Sequence, residues 1–308
     1  MSLTSELHRS DNPVSRFFAE HFPDRDGFWN AWSEKVWQFP SIRPEGPLAD
    51  YPWALVGGAF DYRIRVCWQP YFAENTVAAV GAEVAQKIGM SMAARMWTDL
   101  RDRWNLMMHY TLSSRRALSA DREEALARMS VALAAYEQIA RSGRQDRLLA
   151  GTLKIDEVLG RVPDAVVADL LNLLDEFRRS EDRFLHPQST VLNPVFDGSR
   201  LVGGADGDVI LDRYLWDFKT TIHPTRASNN YWPYQLLGYG LLDLKDQYEF
   251  QGAGIYLVRQ GVWISWTWAE MFELLGADPD VAIREWRRTL VAHVGRQSLR
   301  PVQSSRAI

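Results

Sequence analysis

The sequence has very little cysteine, which limits the metal sites and covalent cross-links that the chain can build. Cys67 is the single cysteine among 308 residues. No disulfide can therefore form within the chain, and no iron–sulfur cluster or zinc site of several thiolates can be assembled from it. Any bound metal must be held mainly by oxygen or imidazole ligands.

The chain also lacks long apolar runs and a strong net charge. No segment reaches the roughly 18 consecutive apolar residues of a membrane-spanning helix, and the N-terminus has neither the basic start nor the apolar stretch of a secretory signal. These absences predict a soluble, cytoplasmic protein with no membrane partner. The net charge of -4 gives no overall sign of nucleic-acid binding. Local arginines are candidates for phosphate contacts, although a solvated helix face is the commoner role of such clusters: Arg115, Arg116, the stretch 141–147, Arg284, Arg287 and Arg288.

Apolar periodicity predicts a helical first part and a second part that contains strands. Residues 14–38 are expected to form short helices with their aromatic side chains in the core, and 54–180 are helical almost throughout. From His186 onward the pattern changes to strands separated by turn-forming residues. Strands are expected at 189–196, 200–211, 214–221, 252–258 and 262–267, and helices at about 230–245 and 279–294, the last one capped by Asp278.

The order of these elements predicts an α/β fold with a central mixed β-sheet flanked by helices. Residues 1–185 are expected to form a large helical region that packs on the core and completes it. Residues 186–308 are expected to form the core itself, which contains the sheet.

Two acidic residues are expected to meet on a β-hairpin. If strands 200–211 and 214–221 are joined by the two-residue turn Asp212-Arg213, opposed residues have numbers that sum to 425. Asp208 then faces Asp217 and Asp206 faces Lys219, and all four side chains project from one face of the sheet. Opposed carboxylates repel each other unless a cation lies between them.

The hairpin therefore predicts a metal site, although a surface hairpin with an ordinary Asp–Lys salt bridge is the alternative. Carboxylate oxygens without soft ligands favour Mg²⁺ or Mn²⁺, and Mg²⁺ is often completed by the phosphates of a substrate. Hydrolysis of a phosphodiester is the natural chemistry of such a site. Lys219, two residues from Asp217 on the same face, could orient the attacking water or offset charge in the transition state.

Three strings in the second half carry a resemblance to a known family. GGADGDVIL, LWDFKTT and YQLLGY, within residues 189–260, resemble the core of the PD-(D/E)XK nuclease superfamily in its RecB-type branch. In that branch an Asp, an Asp/Glu-x-Lys and a Gln-x-x-x-Tyr occur in this order. The resemblance implies a restriction-endonuclease-like fold and a DNA substrate. It also implies that Asp208 and Asp217 bind metal, that Lys219 is catalytic, and that Gln235 and Tyr239 border the site.

An upstream string, LVGGAFDYRIR, resembles a helical motif of the same branch, in which a glycine is followed four residues later by a metal-binding histidine. In this chain Gly57 is followed by Asp61. Because a carboxylate also binds hard cations, Asp61 is the candidate third ligand. The alternative is a buried aspartate that pairs with Arg63 or Arg65.

A second departure concerns the strand before the first Asp. The branch usually has a Glu there, whereas strand 189–196 offers only Asn193. An amide oxygen can coordinate a metal but brings no charge, so catalysis could be slower or lost. Asp206, on the same face as Asp208, could compensate.

These residues predict a metal-dependent nuclease that cleaves DNA. The runner-up is a nucleic-acid-binding or scaffold subunit on the same fold, with catalysis weakened or lost. A third possibility is an enzyme that uses the same Asp pair on a small phosphorylated substrate. By resemblance, protein partners would belong to a repair, phage or defence system.

Overall fold

The computed structural model describes residues 2–46, 51–114, 118–151, 154–225 and 231–298. Arg115 and Arg116, two of the candidate phosphate contacts, lie outside these ranges. No helix in the described ranges is both long enough and apolar enough to cross a membrane.

The helices are α1 Leu3–Leu7, α2 Pro13–His21, α3 Arg25–Val36, α4 Trp53–Trp68, α5 Val77–Lys87, α6 Ser91–Ser114, α7 Ala120–Ser142, α8 Ile155–Gly160, α9 Asp164–Phe177, α10 Asp182–Leu185, α11 Trp232–Leu241, α12 Trp268–Leu274 and α13 Pro279–Ser298. Short 3-10 turns occur at Ala73–Asn75, Arg147–Leu149, Ser199–Val202 and Val258–Gln260.

A five-stranded mixed sheet forms the centre of the second half, which confirms the predicted α/β class. The strands are β1 Thr190–Leu192, β2 Val209–Leu211, β3 Tyr214–Lys219, β4 Gly252–Leu257 and β5 Val262–Thr267. They lie side by side in chain order. The pairs β1–β2, β2–β3 and β4–β5 are antiparallel, whereas β4 is parallel to β3. A parallel neighbour requires a crossover, and α11 lies in the connection from β3 to β4.

The predicted hairpin register is confirmed. Val209 pairs with Trp216 and Leu211 with Tyr214, so opposed numbers sum to 425. Both turn residues have positive φ, 48° at Asp212 and 67° at Arg213, as in the two-residue turns that favour Asn-Gly. Side-chain bonds hold this unusual pair in place, since Asp212 Oδ1 accepts from Ser189 N at 2.8 Å and Arg213 Nε donates to Glu249 O at 2.9 Å.

The first two strands are shorter than predicted. Residues 200–208 were expected to be extended, but the Ser199–Val202 turn and two positive-φ glycines, Gly203 and Gly204, occupy most of that stretch. The strand expected at 189–196 ends after Leu192, because Asn193 adopts a φ of 53° and Pro194 follows. Asp206 and Asp208 therefore precede β2 and lie in the segment that leads into it.

Helices cover both faces of the sheet and form two main hydrophobic cores. Helices α4 to α9 supply most of one core and pack against Tyr256 and Val258. Helices α1 to α3, α11, α12 and α13 supply most of the other, with inward-facing strand residues such as Ile210, Leu215 and Ile255. The predicted helical region 1–185 thus contributes to both layers.

The aromatic side chains of 14–38 lie in the core as predicted, with one exception. Phe17, Phe18, Phe28 and Trp32 are buried in the second core. Trp37 is 65% exposed, because it follows the last buried residue of α3 and occupies the C-cap position.

Candidate active site

The candidate site lies at the edge of the sheet where β1 and β3 end and β2 begins. Helix α4 crosses this edge. A Cβ on Gly57 would lie 3.1 Å from Thr220 Oγ1, just beyond β3. Two turns further along α4, Arg65 NH1 donates to Asn193 Oδ1, just beyond β1, at 3.2 Å. Asp61 lies between these two contacts, so the helix brings it to the ends of the strands.

Asp217 and Lys219 point to the face of the sheet that α11 covers. Leu215, Asp217 and Lys219 are every second residue of β3, so their side chains lie on the same face of the sheet. This is the face that packs in the second core. Lys219 Nζ lies 2.5 Å from Asp217 Oδ2 and donates to Gln235 Oε1 at 3.1 Å. Gln235 Nε2 in turn donates to Tyr239 OH at 3.0 Å. The structure thus brings together the four residues predicted from the Asp-x-Lys and Gln-x-x-x-Tyr strings.

The orientation of the Gln235 amide follows from its partners. An ammonium group only donates, so the amide oxygen must face Lys219 and the NH₂ group must face Tyr239. The Lys219 ammonium also lies 5.3 Å from the centroid of the Trp232 ring. Lys219 is therefore fixed by a carboxylate, an amide and an aromatic face.

Asp208 lies beside this group. Its Oδ2 accepts from the backbone N–H of Phe218 at 2.7 Å, between Asp217 and Lys219 in the chain. Burial raises the pKa of Asp208 well above its ordinary value, and the charges of Asp61 and Asp217 raise it further. Asp208 and Asp217 are thus electrostatic neighbours, as the hairpin register predicts.

Asp61 is held by Arg65 in an ion pair along α4. The alternative in which this aspartate pairs with an arginine therefore describes the structure, and the partner is Arg65. Arg63 instead pairs with Glu123. Burial raises the pKa of Asp61 to about 7 in spite of the Arg65 charge. Asp61 Oδ1 is buried and has no hydrogen-bond partner among the described residues.

Asp206 does not occupy the position predicted from the hairpin. It pairs with Val195 in an isolated bridge, and its Oδ2 accepts from Arg141 NH2 at 3.1 Å. The expected strand does not extend back to residue 206, so the alternation that placed it opposite Lys219 does not apply. Arg141 also donates to Glu137 at 2.6 Å.

Helix α7 therefore supplies two residues whose role sequence reasoning missed. Glu137 was not singled out, and Arg141 was considered only as part of a basic stretch. The spacing of four that joins them was the available signal. The contact of Arg141 with Asp206, 65 residues further along the chain, depends on the tertiary fold.

No group of three or more His, Cys, Asp or Glu within the described ranges is arranged to hold a metal ion as it stands. The three predicted ligands, Asp61, Asp208 and Asp217, therefore do not form a finished metal cage. The donor chemistry nevertheless suits a hard cation. Asp217 Oδ2 is buried in an ion pair with Lys219 Nζ, whereas Asp61 Oδ1 is buried without a hydrogen-bond donor in the described part of the chain.

The site is mostly shielded, and a cleft lies beyond the end of β3. The Asp217 side chain is 7% exposed and that of Lys219 is 18% exposed. Immediately after Lys219, residues Thr220 to His223 line a cleft of about 490 Å³ together with Trp53 and Ala54. A ligand in this cleft would contact the residues that directly follow Lys219 in the chain.

The motif resemblance covers a short part of the chain, and comparison with known proteins adds nothing to it. The geometry of the described residues therefore carries the functional argument. No family model, no curated protein and no solved structure matches this chain.

Proposed function

We propose that this chain is a metal-dependent nuclease that hydrolyses phosphodiester bonds of DNA. The observation that carries the proposal is the contact of Asp217, Lys219, Gln235 and Tyr239 beside Asp208 at one edge of the sheet. The mixed sheet, with α11 between the parallel strands β3 and β4, is compatible with the restriction-endonuclease-like fold that the motifs imply.

The charge balance of the cluster supports a cation site. Five carboxylates, those of Asp61, Glu137, Asp206, Asp208 and Asp217, are matched by three cationic side chains among the described residues at this edge, Arg65, Arg141 and Lys219. One buried carboxylate oxygen, Asp61 Oδ1, has no hydrogen-bond donor among the described residues. Buried negative charge in excess of the neighbouring cations is costly, so a divalent cation would stabilise the cluster.

Asp208 and Asp217 would hold Mg²⁺ or Mn²⁺, with Asp61 as the third carboxylate. A bound ion of this kind supplies Lewis-acid polarisation of a phosphodiester and lowers the pKa of water. The chain's own side chains would bind the ion and orient the substrate. Lys219 provides a fixed positive charge that can offset negative charge developing on the phosphate.

Gln235 and Tyr239 support that lysine and the substrate. Gln235 holds the Lys219 ammonium in place. Burial and the Asp217 charge raise the pKa of Tyr239 above its ordinary value, so its hydroxyl keeps its proton. That hydroxyl accepts from Gln235, and its own proton can be donated to a phosphate oxygen.

The test is cleavage of labelled single-stranded and double-stranded DNA with Mg²⁺, with Mn²⁺ and with EDTA. Wild type is compared with Asp217→Asn, and Asp156→Asn serves as the matched control because Asp156 is an exposed partner of Arg103 far from the site in sequence. Metal-dependent cleavage that only the Asp217 substitution abolishes would support the proposal. A folded protein that cuts neither substrate under any condition would remove it.

A second candidate, a nucleic-acid-binding subunit without catalysis, is favoured by Arg65. This guanidinium pairs with Asp61 and donates to Asn193, the two residues that stand where the branch has a metal-binding histidine and glutamate. A permanent cation there would take the place of a metal. Tight DNA binding in EDTA, with no cleavage in Mg²⁺ or Mn²⁺, would favour this candidate.

A further inference from the structure

Three large aromatic side chains are exposed near the end of β3, in contrast to the buried aromatics of the core. Trp37 is 65% exposed, Phe39 is 49% exposed and Trp53 is 36% exposed. We name these three residues the aromatic patch. Exposed aromatic rings close together on a protein surface mark a binding site more often than a single exposed ring does.

The aromatic patch borders two neighbouring clefts. Trp53 lines the cleft of about 490 Å³ that begins after Lys219. Trp37 and Phe39 line a second cleft of about 220 Å³. Ile222 and His223 line both clefts, so the two spaces share a border and together extend from Thr220, the residue after Lys219, to Trp37 at the end of α3.

Positive charge and a fixed imidazole lie within the second cleft. Arg43 NH2 lies 3.0 Å from His223 Nε2. Because a guanidinium only donates, His223 must accept at Nε2 and carry its proton on Nδ1 in this arrangement. Arg43 is exposed and can contact a phosphate with its other N–H groups.

The second cleft also contains a buried amide with an unused acceptor. Gln260, 5% exposed, lines it. Its Nε2 donates to Ile222 O at 2.9 Å and to Thr221 O at 3.3 Å, and these carbonyl oxygens fix the orientation of the amide. Its Oε1 therefore points away from them, and it has no hydrogen-bond partner among the described residues.

We propose that the aromatic patch and Arg43 bind unpaired nucleotides of single-stranded nucleic acid and lead the strand to Lys219. Nucleobases stack on aromatic faces without regard to sequence, and a neighbouring arginine neutralises the backbone. The bases of an intact duplex are already stacked and cannot reach these rings. The inference that the bound nucleic acid is a substrate rests on the proposed function. The inference that it binds at the aromatic patch does not.

The test measures binding in EDTA, so that cleavage plays no part. The probe is a fluorescent oligothymidylate, compared with an oligomer of the same length that lacks all its bases and with a duplex. Trp37→Ala and Phe39→Ala should each weaken oligothymidylate binding by about 5- to 100-fold, while Trp37→Tyr should retain most of it. Tyr110→Ala, at a ring that is 38% exposed on helix α6, is the matched control and should bind like wild type.

Two results would overturn the inference. One is equal binding of the oligothymidylate and the abasic oligomer, since it would show that bases are not stacked. The other is a concentration-dependent dimer in size-exclusion chromatography that Trp37→Ala abolishes, which would assign the aromatic patch to a second copy of the chain.

Failure of the inference and failure of the proposed function give different patterns. Metal-dependent cleavage that both patch variants leave unchanged, together with unchanged binding, would retain the nuclease and reject the strand-binding surface. Base-dependent binding that the variants weaken, in a protein that cuts nothing, would retain the surface and reject the nuclease.

Discussion

Two buried clusters of carboxylates and cations in this protein differ in how completely their polar atoms are paired. In the first, Arg259 and Asp169 form a two-pronged ion pair at 2.7 and 2.8 Å, and neither side chain is exposed. Arg259 also donates to two backbone carbonyls, and Asp169 also accepts from Tyr51 at 2.6 Å. In the second, at the candidate site, carboxylates outnumber cations and a buried oxygen, Asp61 Oδ1, lacks a donor among the described residues.

The difference is the one expected between a structural ion pair and a site that binds a ligand. A saturated pair offsets the cost of burying its charges with its own hydrogen bonds. The candidate site leaves part of that cost uncompensated, which is typical of functional sites. Equivalent substitutions in the two clusters should therefore act in opposite directions.

The largest effect is expected at the saturated pair. Asp169→Asn leaves the Arg259 guanidinium without its counter-charge in the core, so the free energy of unfolding should fall by about 3–5 kcal/mol. Urea unfolding followed by circular dichroism measures this loss. A loss below about 1 kcal/mol would mean that the two clusters do not differ as argued.

Lys219→Ala should lower the rate of DNA cleavage by about 100- to 1000-fold and leave the protein folded, because a positioned charge is removed from a partly exposed position. Single-turnover cleavage with excess enzyme measures the chemical step. Lys87→Ala, at an exposed lysine that pairs with Glu83, is the control and should keep full activity. Full activity of a pure Lys219→Ala preparation would exclude the lysine from the mechanism.

Asp208→Asn should act in the opposite direction to Asp169→Asn. The neutral amide removes repulsion from Asp61 and Asp217, and its oxygen can still accept from Phe218 N. The free energy of unfolding without metal should rise by about 0.5–2 kcal/mol, as stabilising changes at functional sites do, while cleavage is lost. Urea unfolding in EDTA tests this, and a destabilisation would contradict the predicted sign.

The last effect is a pH dependence that comes from Asp61. Its pKa is raised to about 7 in the folded protein, above the ordinary value near 4 in the unfolded chain. The folded state therefore holds this proton more tightly than the unfolded chain does. The contribution of Asp61 to the free energy of unfolding should be highest below about pH 4 and should fall as the pH rises to about 7.

Comparison with Asp61→Asn separates this contribution from groups that do not interact with Asp61, while Asp208 titrates together with it. The stability of wild type relative to the variant should decrease by up to about 4 kcal/mol between pH 4 and pH 7, which is the free energy of three pKa units, and then level off. Thermal unfolding in EDTA across this pH range measures it. Mn²⁺ should restore wild-type stability above pH 7, and parallel pH curves for the two proteins would show that Asp61 does not titrate in this window.

Local patterns in the sequence predicted the elements that hold the site. The alternation of β3 and the two-residue turn gave the correct register, and the spacing of four placed Gln235 and Tyr239 together. Asp278 caps the last helix as expected, since its Oδ1 accepts from Val281 N at 2.9 Å. In each case the interaction joins residues close in the chain or related by a regular period.

Contacts between distant segments could not be predicted in this way. Arg65 reaches Asn193 and Arg141 reaches Asp206 only because α4 and α7 pack at the end of the sheet. The strand expected at 200–211 forms only at Val209–Leu211. Positive φ angles at Gly203 and Gly204 interrupt the extended backbone in spite of the apolar pattern. Whether Asp61 binds a metal or pairs with an arginine depends on how deeply its side chain is buried by other segments, which the sequence of α4 alone does not show. In the structure Asp61 pairs with Arg65.

The passage of α4 across the end of the sheet has a consequence for the modularity of this protein. The segment that contains the sheet provides Asp208, Asp217 and Lys219, but Asp61 comes from a helix more than 140 residues upstream. Arg259 ties the same two parts together through Asp169 and Ile42 O. The sheet segment alone therefore lacks part of the candidate site, and recombination between related chains would preserve this cluster only where both parts are inherited together.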